Sequence, residues 1–147
     1  MKARILLTAI LSLFLFTGSA LAENGSWYTD WDKASAASKK SGKPILVDFT
    51  GSDWCHWCIK LKEEVFDTSA FQTWAKENVV LLEIDFPRGT PQSKDIKAKN
   101  TALAKKYQVQ GFPTVIFANA DGDTLGRYGY DKGGPSNWTK KASSFLK

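Results

Sequence analysis

Trp54-Cys55-His56-Trp57-Cys58 holds the only two cysteines of the chain, spaced Cys-x-x-Cys. Before it runs Pro44-Ile45-Leu46-Val47-Asp48-Phe49, a short apolar stretch that reads as a buried strand. After it comes Ile59-Lys60-Leu61-Lys62-Glu63-Glu64-Val65-Phe66, whose apolar residues recur at helical spacing. A cysteine pair between a strand and a helix is a redox arrangement. The first sulfur sits at the helix N-terminus, where unpaired N–H groups and the macrodipole favour an anion. The second lies one turn on, on the same helix face and within disulfide reach.

Working outward, the first 22 residues read as a segment to be removed. Lys2 and Arg4 give a basic start, Ile5 to Phe16 an apolar core broken by Thr8 and Ser12, and Ala20-Leu21-Ala22 a small-residue cleavage site. That core is short for a membrane span, and no cysteine near the cleavage site offers a lipid anchor, so no stable membrane insertion is expected after cleavage. The expectation is a signal peptide over 1–22 and one domain over 23–147, exported to the periplasm or secreted. Such a domain is large enough to bury a core without disulfide staples.

Export places the cysteines where pairs are usually structural. A loop this short removes little chain entropy, about 2 kcal/mol against about 5 for a long loop. A domain in need of a staple would set its cysteines far apart, so the spacing favours redox chemistry. The formal net charge of the chain is +5. Its charges are interspersed except for Lys94 to Lys106, read as a solvated helix face, and no basic-aromatic stripe argues for nucleic acid.

Asp30 can cap a helix running to about Lys40, ended by Ser41-Gly42 and Pro44. The strand Pro44–Phe49, the turn Thr50-Gly51-Ser52-Asp53 and the cysteine helix to Phe66 follow. Ser69-Ala70-Phe71-Gln72 reads as a capping box for a helix to Asn78. Val79–Phe86 reads as a strand buried on both faces and parallel to the first, through a strand-helix-strand crossover. Pro87–Lys97 is a polar loop, Lys99–Tyr107 a helix and Thr114–Ala118 a strand. Asn119-Ala120-Asp121-Gly122 turns into a strand over Thr124–Tyr130, and Gly133-Gly134-Pro135 opens a last helix carrying Trp138, Ala142 and Phe145 on one face.

This α-β-α-β-α-β-β-α order, with Trp-Cys-x-x-Cys after the first strand and Gly111-Phe112-Pro113-Thr114 before the third, resembles the thioredoxin family. The likeness covers nearly all of residues 23–147. Asp48-Phe49-Thr50-Gly51-Ser52-Asp53-Trp54-Cys55 is similar to the exported bacterial branch, near the thioredoxin-like domain of the transmembrane disulfide reductase. The resemblance implies an α/β fold of the thioredoxin-like kind, with a central mixed four-stranded sheet flanked by helices. It implies Cys55 as nucleophile, Cys58 as resolving thiol, Pro113 as a cis-proline facing the disulfide, and Asp48 as a buried acid that moves the proton of Cys58. Phe112 and Pro113 would meet the substrate, and Trp54 would flank the exposed sulfur. Three features depart from thioredoxin itself: a turn before Cys55 longer by one residue, His-Trp where Gly-Pro stands, and a longer stretch from Phe86 to Tyr107.

His56, the only histidine, either stabilises the Cys55 thiolate through partial positive charge or is an exposed first-turn residue of little influence. Trp57 is equally a substrate rim or ordinary packing. Asp48 in an apolar strand points to function, since burying an unpaired carboxylate is costly. Three soft ligands are too few for structural zinc, and Ile59 stands where haem attachment needs histidine, so no metal or organic cofactor is expected. The expected function is thiol–disulfide exchange on client proteins with disulfides, as reductase or isomerase. A disulfide-donating oxidase comes second, and a peptide-binding, chaperone-like module is the non-enzymatic alternative. A redox partner would reset the cysteine pair, and a monomer is expected. The loop Pro87–Lys97, with Arg88, Lys94 and Lys97, is a candidate for steering an acidic partner.

Overall fold

A computed structural model describes residues 26–147; the expected signal peptide over 1–22 lies outside them. Four strands form one mixed sheet: β1 (Ile45–Thr50), β2 (Val80–Asp85), β3 (Thr114–Ala118) and β4 (Thr124–Tyr128), in the order β2-β1-β3-β4. The β1–β2 pair is parallel, and β3 runs antiparallel to both β1 and β4. Among the described residues five α-helices flank the sheet: α1 (Trp31–Ser41), α2 (His56–Leu61), α3 (Ser69–Asn78), α4 (Lys94–Lys106) and α5 (Gly134–Ala142). This is the architecture that the resemblance implies.

Strand periodicity divides the core. Ile45, Val47 and Phe49 of β1 join Leu82, Ile84, Ile116 and Tyr107. Leu46 faces the other way, into a cluster with Leu61, Phe66, Phe71, Phe117 and Trp138. Asp48 shares the parity of Leu46 and therefore falls on the face covered by the cysteine helix. β2 ends the sheet order, yet its outer edge is covered: Tyr28 N–H donates to Leu81 O at 2.9 Å and Glu83 N–H donates to Tyr28 O at 2.8 Å. The lead-in thus acts as a short edge strand, and it accounts for the burial of the run from Val79 to Leu82.

Several boundaries differ from the expectation. Asp30 does cap α1, accepting from Lys33 N–H at 3.2 Å, and Gly42 ends it in the left-handed region at φ 72°. The capping box over Ser69–Gln72 is off by one residue. Thr68 is the cap, accepting from Phe71 N–H at 3.3 Å, while the Gln72 amide donates to Phe66 O instead of reaching back to the cap. The cysteine helix changes after Leu61 to a π-helical segment, Lys62–Phe66. α4 starts at Lys94, five residues before its expected start, because Ser93 caps it through Ile96 N–H at 3.2 Å. The first turn of α4 faces solvent, so it shows none of the apolar spacing that marks a helix in sequence. The polar loop is correspondingly shorter, and Lys94 and Lys97 belong to the helix.

Candidate functional site

The turn after β1 is tight. Gly51 O accepts N–H bonds from Trp54 at 3.2 Å and Cys55 at 2.9 Å, and a Cβ on Gly51 would lie 2.5 Å from the Trp54 ring. The turn delivers Cys55 to the N-cap position of α2 with extended backbone, φ −85° and ψ 105°. Its Sγ accepts from Cys58 N–H at 3.3 Å. Cys55 and Cys58 form a disulfide, with Cα atoms 5.2 Å apart. Both are buried, at 7% and 4% exposure, so accessibility separates them little. What separates them is the helix end: the sulfur of Cys55 has a backbone donor and stands at the positive end of the dipole.

Around the disulfide the exposed aromatic side chains are individually held. The Trp54 indole N–H donates to Phe86 O at 2.8 Å, and Phe112 meets its ring edge-on at 6.0 Å. Phe112 in turn stacks on Phe86 at 5.1 Å, and the Phe112–Pro113 peptide bond is cis. Trp57, 49% exposed, packs against His56 at 5.1 Å and Tyr130 at 5.0 Å. Tyr130 O–H donates to Glu64 at 2.7 Å, and Glu64 pairs with Lys60 at 2.5 Å. His56 is exposed.

The segment after β2 is tied to the same rim. Asp53 accepts from the backbone N–H groups of Arg88 at 2.9 Å, Gly89 at 2.6 Å and Thr90 at 3.2 Å. These bonds, the one from Arg88 first, hold the Asp53 carboxyl below its usual range. The Arg88 guanidinium lies over the Trp54 ring, 3.7 Å from its centroid. Ser52 donates through both N–H and O–H to Asp85, at 2.9 and 2.5 Å, which clamps the turn to the end of β2.

Behind the disulfide lies a cleft of about 320 Å³, lined by Asp48, Cys58, Lys62, Glu83, Trp27 and Thr29 among others. Asp48 is 6% exposed, and its Oδ1 has no hydrogen-bond partner. Burial, followed by the charges of Glu83 and Asp85, pushes its carboxyl well above the ordinary range. Glu83 is raised too, by burial and then by Asp85, with Lys62 opposing.

The structure thus brings Cys55, Cys58, Asp48, Trp54, Phe112, Pro113 and His56 to one end of the sheet, around or beneath the disulfide. Sequence reasoning missed Asp53 and Glu83. Asp53 carries no sequence signal, since its partners are backbone groups 35 to 37 residues away. Glu83 carried one: an acid two residues before Asp85 in an otherwise apolar strand shares a strand face with it. Among the described residues no group of three or more His, Cys, Asp or Glu is placed to hold a metal ion. No helix among them is long and apolar enough to cross a membrane.

Comparison with known proteins places this geometry. A thioredoxin-like domain model matches residues 31–134. The disulfide bond reductase DsbH of Chlamydia pneumoniae is 38% identical over 126 residues, covering 86% of this chain and 75% of that protein. The thioredoxin-related protein DsbJ of the same organism is 31% identical over 132 residues, which is 87% of this chain but 38% of its own length. A solved structure of DsbH oxidoreductase superposes with a TM-score of 0.79 at 33% identity, covering 99% of this chain and 94% of that one.

Proposed function

Because this chain belongs to the thioredoxin-like family, we propose that it is an exported thiol–disulfide oxidoreductase that reduces or isomerises protein disulfides. One observation carries the reading: Cys55 caps a helix, accepts its backbone N–H, and is bonded to Cys58 within a rim of anchored aromatic side chains. In the dithiol state Cys55 attacks a client disulfide as thiolate; one client sulfur leaves and a mixed disulfide forms. Cys58 gives its proton to Asp48 and attacks Cys55 Sγ, the second client sulfur leaves as thiolate, and the Cys55–Cys58 bond closes. Two electrons have passed from the pair to the client, and a thiol partner returns the pair to the dithiol state.

In this reading Trp54, Phe112 and Pro113 receive the client segment, and His56 beside Cys55 favours the thiolate. The protein acts as a monomer over residues 23–147 in the periplasm, after removal of 1–22. The relative named a disulfide bond reductase supports the reducing direction over the oxidising one. The test is insulin reduction with dithiothreitol as electron source, alongside the reduction potential of the Cys55–Cys58 pair. Turnover above dithiothreitol alone, abolished in Cys55→Ser, and a potential nearer thioredoxin's than the strong oxidants' are expected. Turnover equal to the dithiothreitol background would overturn the reading in favour of a binding module.

A further inference from the structure

We propose that Glu83 is the group through which the buried carboxyl of Asp48 exchanges its proton with solvent, so that Cys58 is served by two acids in series. This rests on the reading of Cys58 and Asp48 given above. Asp48 and Glu83 are direct register partners of the parallel β1–β2 pair. Adjacent strands lie about 4.8 Å apart and paired residues point to the same face, so the two carboxyls are neighbours beneath the cysteine helix. Both line the cleft that also holds Cys58. Asp48 is almost fully covered, whereas Glu83 is half-buried and stands between it and the edge of the sheet.

Glu83 has little structural reason to be an acid. Among the described residues its side chain makes no ion pair and no hydrogen bond. It sits beside two further carboxyls, Asp48 across the strands and Asp85 on its own strand, where like charges oppose one another. The nearby cation, Lys62, opposes this only in part, since its Nζ is bonded to Asp67. On the outer side of β2, Asp30, Asp32 and Asp95 share a groove with Glu83, and Lys99 there is paired with Asp30. From the lead-in, Trp27 and Thr29 contribute no charge to the cleft. A half-buried acid in this company binds a proton readily and can pass it on. The cleft, about 320 Å³, has room for water, and Thr29, Thr50 and Ser52 line it beside the two carboxyls.

When an incoming thiolate attacks Cys55, the S–S bond breaks and Cys58 leaves with the electron pair. The Asp48 carboxyl protonates that thiolate, Glu83 reprotonates Asp48, and Glu83 recovers a proton from water at the mouth of the cleft. In the opposite direction the Cys58 proton leaves along the same path while Cys58 closes the disulfide and expels the client thiolate.

The experiment is single-turnover reduction of the protein disulfide by dithiothreitol, followed by tryptophan fluorescence across the neutral range, for wild type, Glu83→Gln, Asp48→Asn and the double variant. Glu83→Gln is expected to slow the step about tenfold and to move its pH profile to lower pH, because Asp48 loses a neighbouring negative charge. In the double variant the loss should equal that of Asp48→Asn alone. A slow Asp48→Asn beside a wild-type rate and profile for Glu83→Gln overturns this inference and leaves the role of Asp48 standing. Independent, multiplying losses also overturn it. A wild-type Asp48→Asn overturns the reading of Asp48 and this inference with it. Carboxyl 13C titration of the unmutated disulfide form needs no variant to fold. Asp48 and Glu83 should each show two coupled steps, and independent single-step curves would refute the series.

Discussion

The guanidinium of Arg88 lies 3.7 Å from the ring centroid of Trp54, beside the disulfide and at the head of a segment whose backbone is held by Asp53. Arg88 has no carboxylate partner among the described residues, so its charge faces outward from the rim. Arg88→Glu should therefore slow attack on peptide disulfides flanked by acidic residues by about tenfold at low salt, and less at high salt. The check is a comparison of acidic, neutral and basic peptides of otherwise equal sequence. Equal effects on all three would show that Arg88 only packs on Trp54.

Asp53 should control the order of that segment. Asp53→Ala removes the acceptor of three N–H bonds, so the amides of Arg88, Gly89 and Thr90 should exchange faster with deuterium while the rest of the sheet is unchanged. The pH dependence follows from the lowered carboxyl. An acid with a depressed value contributes above its unfolded value, about 3.8, and the contribution is lost as pH falls through the depressed one. Protection at these amides should persist through neutral pH and disappear only in strong acid.

The cysteines should divide their labour despite similar burial. In the reduced protein, Cys55 should alkylate first near neutral pH, because its sulfur caps the helix N-terminus, where a thiolate is favoured. Cys58→Ser should accumulate mixed disulfides with clients, and Cys55→Ser should not. Mass spectrometry of trapped species decides it, and equal labelling of the two thiols would contradict the assignment.

Asp48→Asn should slow turnover and stabilise the disulfide form. The folded state holds the Asp48 proton more tightly than the unfolded chain does, so stability falls as pH rises above the unfolded value, about 3.8. The gain in the variant should be absent in acid and grow as pH rises toward neutrality, read from denaturant midpoints. A constant difference across pH would mean that the carboxyl holds its proton no more tightly in the folded state than in the unfolded chain.

Trp138 should be the costliest core residue to truncate. It is fully buried, donates its indole N–H to Gly129 O at 2.9 Å, and touches the rings of Phe66, Phe71 and Phe117. Trp138→Ala should cost about 3–5 kcal/mol by chemical denaturation, with the disulfide still formed.

Local chemistry settled much of this protein before any folding was considered. The run Ile45-Leu46-Val47 followed by Cys-x-x-Cys and an apolar helical face required a strand, a turn and a helix in that order, because each pattern has one period that buries it. The acid in that strand, Asp48, was conspicuous for the same reason. Asp30 and Pro135 marked helix starts, since caps act within a single turn. Local pattern failed where the deciding partner was remote or was water. The first turn of α4 is solvated and shows no period, and Thr68 prevailed over Ser69 once the chain had closed on Val65 and Phe66. Only the tertiary structure could place Asp53 against the backbone of Arg88, Gly89 and Thr90, or Arg88 over Trp54. Only the β1–β2 register could set Glu83 beside Asp48: the parallel direction follows from the crossover, but which residue faces which, 35 positions apart, is written in neither strand alone.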